Sequence, residues 1–216
     1  MEDNKTMQDY LFAFAYEEAL RDATLMKSFA GEKAYLKECC AGKKAVREYV
    51  DGILSGKQEK SFDETEKAVE DAFNCFIKSN EKNQEFTFGN AQKLINMTVK
   101  YMFFTAYAHD DYSTFRDRFV ESHCPMDSIM CQIVKNEFDE DVSDDAKAIK
   151  QRYQHGKSTW KGYLNLPWSS MKRGVNESVP VEYSCFQEIV KYLAKKENLI
   201  PIEYDYKHWE KGGQKN

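Results

Sequence analysis

The chain has 216 residues, of which 42% are hydrophobic and 31% charged, a composition that excludes a disordered chain and predicts a folded protein. The length suffices for one good hydrophobic core, so we predict a single helical domain over residues 1–210 and a disordered tail at residues 211–216. With 31 basic and 36 acidic residues, the net charge of −5 excludes a surface coated with phosphate-binding groups but allows a local basic groove.

Turn-forming residues are scarce, with 10 glycines and 4 prolines in the whole chain. Long elements between few turns favour helices over many short strands. We therefore predict an all-α fold, a single-domain helical bundle.

The sequence also predicts where the protein resides and what it lacks. No segment approaches the ~18 apolar residues of a membrane span, and no basic stretch followed by an apolar run opens the chain. We expect a cytoplasmic protein with no membrane contact and six reduced cysteines. No C-x-x-C or H-x-x-x-H spacing occurs, so we predict no structural metal and no cofactor.

The first third of the chain contains apolar residues at helical spacing. They predict helices over residues 7–28, about 31–40 and about 43–54. Gly42 and Gly56 follow the second and third of these segments, and a glycine just past a helix commonly ends it.

Two helices in the middle of the chain have clear start signals. Ser61 and Glu64 form a capping box, followed by the buried stripe of Val69, Phe73, Phe76 and Ile77. A polar connector then leads to Gly89, which opens a helix predicted to run to about Tyr107. Because this helix is apolar almost all round, we expect it to be the central element of the fold.

The second half continues the helical pattern. A loop holding a short helix from about Ser113 to Glu121 is closed by Pro125, and Asp127 stands where an N-cap would precede the next helix. An acidic turn and a helix ending at Gly156 follow.

The last quarter begins with an aromatic-rich segment. Residues 157–179 predict an irregular loop, followed by a strong helix over residues 180–197 whose first turn contains Pro180. Residues 201–212 form a short amphipathic segment.

The helix that follows Gly89 has one polar stripe, formed by Lys93, Asn96 and Lys100. Spacings of three and four residues place these side chains on one face, and Gln92 lies one turn from Asn96. One interpretation is that the lysines extend along the edge of the core to reach water. The other is that the stripe is a functional site.

Two short motifs support a site. In "FTFGNAQK" a glycine precedes a helix and a lysine follows four residues later, and in "CPMDSIM" a proline-x-aspartate opens another helix. Over residues 86–135 this order resembles the helix-hairpin-helix DNA glycosylases, especially the compact 8-oxoguanine glycosylases. The resemblance implies that Gly89 contacts a DNA phosphate, that Lys93 is the catalytic lysine and that Asp127 is the catalytic aspartate.

The resemblance also implies a mechanism. The lysine attacks the anomeric carbon of a flipped nucleotide and displaces a damaged purine, leaving a Schiff base, while the aspartate activates the lysine and stabilises positive charge on the sugar. Substrate binding would fall to neighbouring polar residues and to the tryptophans: Gln92, Asn96, Lys100, Tyr101, Trp160, Trp168 and Trp209. The expected partner is DNA. The stripe and Asp127 also resemble a motif of small bacterial proteins, A-Q-K-x-x-N-M-T-x-K-Y followed by P-x-D-S.

Two other functions remain open. Arg118 and His123 have the R-x-x-x-x-H spacing of the all-helical HEPN ribonucleases, which the chain would then resemble. The other alternative is a non-catalytic, acidic helical interaction protein, a phage- or defence-related factor that binds a protein partner through the acidic surface at residues 138–145. Asp127 has a structural alternative as an N-cap.

Residues 109–123 contain a cluster of possible metal ligands. Its residues are of types that bind cations, but they lack a recognised order: His109, Asp110, Asp111, Asp117 and His123. We therefore do not predict a metal site there.

Overall fold

The computed structural model describes residues 6–23, 40–79, 85–104 and 112–213. These residues form ten α-helices and one short 3-10 helix at Trp168–Ser170 and contain no β-strand, which confirms the all-α prediction. The α-helices are α1 (Met7–Ala23), α2 (Cys40–Ser55), α3 (Phe62–Ser79), α4 (Phe88–Phe104), α5 (Tyr112–Asp117), α6 (Ser128–Asp139), α7 (Asp144–Arg152), α8 (Trp160–Tyr163), α9 (Val181–Lys196) and α10 (Pro201–Gly213).

The chain divides into two compact units, residues 1–119 and residues 120–216, called here the N-terminal and C-terminal units. Each has its own buried apolar residues. The prediction of one domain over residues 1–210 stays a prediction. Helix α10 continues to Gly213, three residues into the predicted tail, and residues 214–216 lie outside the described part of the chain.

Helix α4 is the centre of the N-terminal unit. It packs against α1, α2 and α3, and all but three of its side chains are buried. The helix predicted from Gly89 to about Tyr107 is described from Phe88 to Phe104. A helix with apolar residues on all sides is stable only when other elements surround it, which explains its central place.

The start of α4 is tied to the end of α1. The backbone N–H and hydroxyl of Thr87 donate to Oδ1 of Asn90 at 3.2 and 2.9 Å, and the N–H of Asn90 donates to Oγ1 of Thr87 at 3.2 Å. The amide of Asn90 also donates to the Ala23 carbonyl, the last residue of α1, at 2.9 Å. One side chain therefore satisfies backbone groups at two buried helix ends.

The capping box predicted for α3 is confirmed. The N–H of Ser61 donates to Oε2 of Glu64 at 2.9 Å, and the N–H of Glu64 donates to Oγ of Ser61 at 3.2 Å. The predicted stripe behind it is buried. Gly56 ends α2 as predicted, because its φ of +69° allows Lys57 to donate its N–H to the Gly52 carbonyl at 3.0 Å.

The prediction that Gly42 ends a helix is wrong. Gly42 lies in the first turn of α2, which begins at Cys40. A Cβ at this position would lie 3.4 Å from side-chain atoms of both Ala72 and Phe73 on α3, which is van der Waals contact, so Gly42 packs against α3. Most of the helix predicted at residues 31–40 lies outside the described residues.

The C-terminal unit is built on α6, α9 and α10, which contact one another, while α8 packs on α9. The helix predicted to end at Gly156 ends at Arg152, and Gly156 instead occupies a turn with a φ of +59°. The segment predicted to be irregular, residues 157–179, contains α8 and the 3-10 helix. Buried aromatic residues order it, an effect that periodicity does not reveal.

The short helix predicted at Ser113–Glu121 is shorter than expected, and turns replace its last residues. It forms as α5 over Tyr112–Asp117 in the N-terminal unit, and residues 118–121 are turns. In the part of the chain that the structure describes, no helix combines the length and apolar character needed to cross a membrane.

We expect Asn90→Ala to destabilise the protein by about 1–3 kcal/mol, because the buried Ala23 carbonyl and Thr87 N–H both lose a partner. Urea denaturation followed by circular dichroism measures the change. The matched control is Asn136→Ala, whose exposed side chain accepts a hydrogen bond only from Gln132 among the described residues. An equal effect of both substitutions would contradict the role of Asn90.

Candidate functional site

Two amide side chains of α4 form a hydrogen-bonded ladder inside the N-terminal unit. Nε2 of Gln92 donates to the Gly89 carbonyl at 3.1 Å, and Nδ2 of Asn96 donates to Oε1 of Gln92 at 3.2 Å. The exposed fractions of Gln92 and Asn96 are 0% and 1%. Buried amides need such partners, since an unsatisfied one costs ~1–3 kcal/mol.

The two lysines of the polar stripe differ in burial. Lys93 is half-buried, whereas Lys100 is only 6% exposed. Lys100 therefore does not lie at the edge of the core with its ammonium group in water. Both lysines stay candidate site residues.

Sequence reasoning missed a buried carboxylate that faces the core from α3. Glu66 is 0% exposed, and among the described residues of the N-terminal unit only Glu66 and Lys100 are buried charged side chains. The helical spacing in the sequence could have predicted this burial. Glu66 lies three residues before Val69 and seven before Phe73, and it therefore shares their buried face. Glu66 and Lys100 have opposite charges and lie on helices that contact each other.

Gly89 does not present an open helix end. Residues 86–90 are all buried, and Thr87 and Asn90 cap the N-terminus of α4. A phosphate needs exposed N–H groups at such a site. The geometry therefore does not favour the predicted phosphate contact of Gly89.

Tyr101 links two helices. Its hydroxyl donates to Oδ2 of Asp22 on α1 at 2.7 Å, and its side chain is half-buried. This bond gives Tyr101 a structural role, and substrate binding by Tyr101 stays a prediction.

Asp127 is an N-cap, as its structural alternative predicted. Its Oδ1 accepts from the Met130 N–H at 2.9 Å, and the residue is buried at the start of α6. Lys93 belongs to the N-terminal unit and Asp127 to the C-terminal unit. Their joint catalytic role stays a prediction.

The three tryptophans differ in access. Trp160 is buried and packs edge-on against Phe138, with ring centroids 5.1 Å apart. Trp168 is also buried, whereas Trp209 on α10 is 45% exposed. Because base stacking needs an accessible ring face, Trp209 is the best placed of the three to stack on a base.

The geometry does not favour the ribonuclease alternative. Helix α5 ends at Asp117, so Arg118 and His123 share no helix. Nδ1 of His123 lies 2.9 Å from the Tyr183 hydroxyl. Burial, together with the Lys191 ammonium and opposed by Glu121, lowers the pKa of His123 to about 4, so the imidazole is neutral at pH 7.

Lysines compensate much of the acidic segment at residues 138–145. Asp139 pairs with Lys161 at 2.6 Å, and Asp144 pairs with Lys147 at 3.0 Å. Asp141 accepts from Lys196 at 2.5 Å, and this bond holds the pKa of its carboxyl group well below the usual range. These pairs reduce the negative charge that a basic partner would meet. Partner binding there stays a prediction.

A second polar cluster in the C-terminal unit was not predicted. Nδ1 of His208 lies 2.9 Å from Glu137, its Nε2 lies 3.0 Å from Glu197, and the Tyr204 hydroxyl donates to Glu137 at 2.6 Å. The three acid and imidazole ligand atoms lie within 4.8 Å of one another, a set that could hold a cation. Each ring nitrogen of His208 faces a different carboxylate, Nδ1 facing Glu137 and Nε2 facing Glu197.

Three of the five possible metal ligands between residues 109 and 123 are not among the described residues. His109, Asp110 and Asp111 lie outside the described residues. The other two are Asp117, at the end of α5 in the N-terminal unit, and His123, in the C-terminal unit. The positions of Asp117 and His123 give no support for a metal site.

No protein-family model, curated protein or solved structure matches the chain. The likeness to glycosylases rests on the two motifs alone.

We expect the ring carbons of His123 to titrate with a midpoint near pH 4, since the folded environment disfavours the imidazolium. Carbon-detected NMR of the histidines measures it. In the unfolded chain His123 has its ordinary pKa of about 6.5, so as the pH falls the unfolded chain is protonated at this residue before the folded protein is. His123 therefore stabilises the fold fully above pH 6.5, and this contribution declines as the pH falls towards 4. A midpoint near 6.5 in the folded protein would contradict the prediction.

Proposed function

We propose that the chain is a DNA glycosylase-like enzyme that excises a damaged purine of the 8-oxoguanine class, with Lys93 as nucleophile and Asp127 as the assisting carboxylate. The observation that carries this proposal is the position of Lys93. It is a half-buried amine on a helix whose other side chains are almost all buried. Contact with the protein on one side and access on the other suit a lysine nucleophile.

The reaction needs a neutral amine. The nitrogen of Lys93 attacks C1′ of the flipped nucleotide, the bond from C1′ to the base breaks, and the base leaves with the bonding electrons. Asp127 accepts the proton that the amine loses and stabilises positive charge on the sugar. The C1′–O4′ bond then breaks, O4′ takes up the proton held by Asp127, and a Schiff base is left between Lys93 and C1′.

The surroundings of Lys93 favour a fixed position for it. The Gln92 and Asn96 ladder lies beside it on the same helix, and the Tyr101 hydroxyl ties that helix to α1. Groups on a rigid element hold a reactive geometry better than groups on a loop. The proposed partner is DNA in the cytoplasm, with Trp209 as the most accessible stacking surface.

We expect borohydride to trap the wild-type protein covalently on duplex DNA that contains 8-oxoguanine, because reduction turns the Schiff base into a stable amine. Lys93→Gln should form no adduct. The matched control is Lys78→Gln on α3, an exposed lysine whose replacement should leave trapping unchanged. Denaturing gels with labelled DNA measure the yield.

Two results would overturn the proposal. One is the absence of any adduct with wild-type protein that is folded by circular dichroism. The other is an equal adduct yield from the Lys93→Gln variant, which would assign the chemistry to another amine.

The role of Asp127 can be separated from its capping bond. Asparagine caps a helix about as well as aspartate, so we expect Asp127→Asn to keep the fold while lowering the trapping rate by about 10²–10⁴-fold. Asp127→Ala should also lose about 1 kcal/mol of stability with the cap. An unchanged trapping rate in Asp127→Asn would limit Asp127 to its structural role.

A further inference from the structure

The N-terminal unit contains a cavity that the proposed function does not use. Its volume is about 870 Å³, within the range of ~300–1,000 Å³ typical of small-molecule sites. The wall is mainly apolar and includes two methionines, which adapt to ligands of irregular shape. The apolar residues are Met7, Leu11, Leu54, Met102 and Phe115.

One guanidinium in this cavity has no compensating carboxylate. Arg118 donates to the Leu54 carbonyl in the last turn of α2, and its guanidinium carbon lies 5.8 Å from the centre of the Phe115 ring. Among the described residues, no carboxylate lies within ion-pair distance of Arg118, which is exposed. The carbonyl fixes the guanidinium at the cavity wall and uses one of its five N–H donors.

The second guanidinium of the cavity is already compensated. Nε of Arg47 lies 2.7 Å from Asp51, and its Nη1 lies 3.0 Å from Asp9. Nε2 of Gln8 also donates to Asp51, at 3.4 Å. The carboxylate of Asp51 is therefore engaged by its own neighbours, and Arg118 is the group left to attract an anion.

We propose that this cavity, called here the Arg118 cavity, binds a single-chain carboxylate amphiphile, a fatty acid of medium length. The carboxylate would pair with the planar fork of Arg118, which suits two parallel hydrogen bonds. The alkyl chain would lie against Met7, Leu11 and Met102, where it loses contact with water. The site does not involve Lys93 and is independent of the proposed glycosylase chemistry.

Isothermal titration calorimetry with decanoate, below its micelle limit, tests the proposal on the full chain. Decyltrimethylammonium, with the same alkyl chain and the opposite charge, is the matched probe. We expect decanoate to bind at one site and the cationic probe to bind at least about tenfold more weakly, a difference of about 1.4 kcal/mol.

Variants separate the charge from the apolar wall. Arg118→Gln should weaken decanoate binding by about tenfold, while Arg118→Lys, which keeps the charge but loses the planar fork, should bind with an affinity between those of Arg118→Gln and the wild type. Leu11→Trp should weaken both probes by filling the cavity without changing Arg118. The control is Arg21→Gln, because Arg21 pairs with Glu18 on α1 and does not line the cavity. Thermal melts establish that each variant is folded.

Four outcomes would overturn the proposal. The first is no saturable binding of decanoate to the wild-type chain, and the second is equal binding of the anionic and cationic probes. The third is a concentration-dependent dimer that Leu11→Trp abolishes and decanoate does not affect, which would make a second copy of the chain the occupant. If Arg118→Gln folds but binds decanoate as tightly as the wild type, the guanidinium has no part in the site.

Discussion

A helix that is buried on nearly every side must satisfy its polar groups inside the protein, and several polar side chains of α4 form hydrogen bonds within the helix. Gln92 bonds to a carbonyl one turn back, Asn96 bonds to Gln92, and the Thr98 hydroxyl donates to the Leu94 carbonyl at 2.7 Å. Asn90 closes both the start of α4 and the end of α1. These bonds lower the cost of removing the polar groups of α4 from water where three helices surround it.

The C-terminal unit satisfies some of its buried polar groups by another means, through side chains from distant parts of the sequence. The amide of Gln187 on α9 accepts from the Cys124 N–H at 3.1 Å and donates to the Cys124 carbonyl at 2.7 Å. It thereby replaces the strand or helix partner that this extended backbone lacks. The bonds of Glu137 and Glu197 to His208 join α10 to α6 and to the turn after α9 in the same manner.

These structural duties narrow the choice of functional groups. Trp160 packs against Phe138, Tyr101 links α4 to α1, and Gly89 lies in the capped start of α4. The sequence pattern that made them candidate site residues therefore partly reflects their roles in folding. Lys93 keeps partial exposure and stays the leading candidate for chemistry. Arg118 was a candidate because of its spacing to His123 in the sequence. In the structure it lines an apolar cavity, where we propose that it binds a carboxylate.

The sequence by itself determined the helical class and the local helix ends. The caps at Ser61 and Asp127 were predictable because a capping bond spans three residues and depends on no other element. Only the tertiary structure decided that Gly42 serves helix packing and that Glu66 and Lys100 are buried. Burial depends on which helices come to lie beside a residue, and that is set by contacts between segments distant in sequence, which periodicity cannot specify.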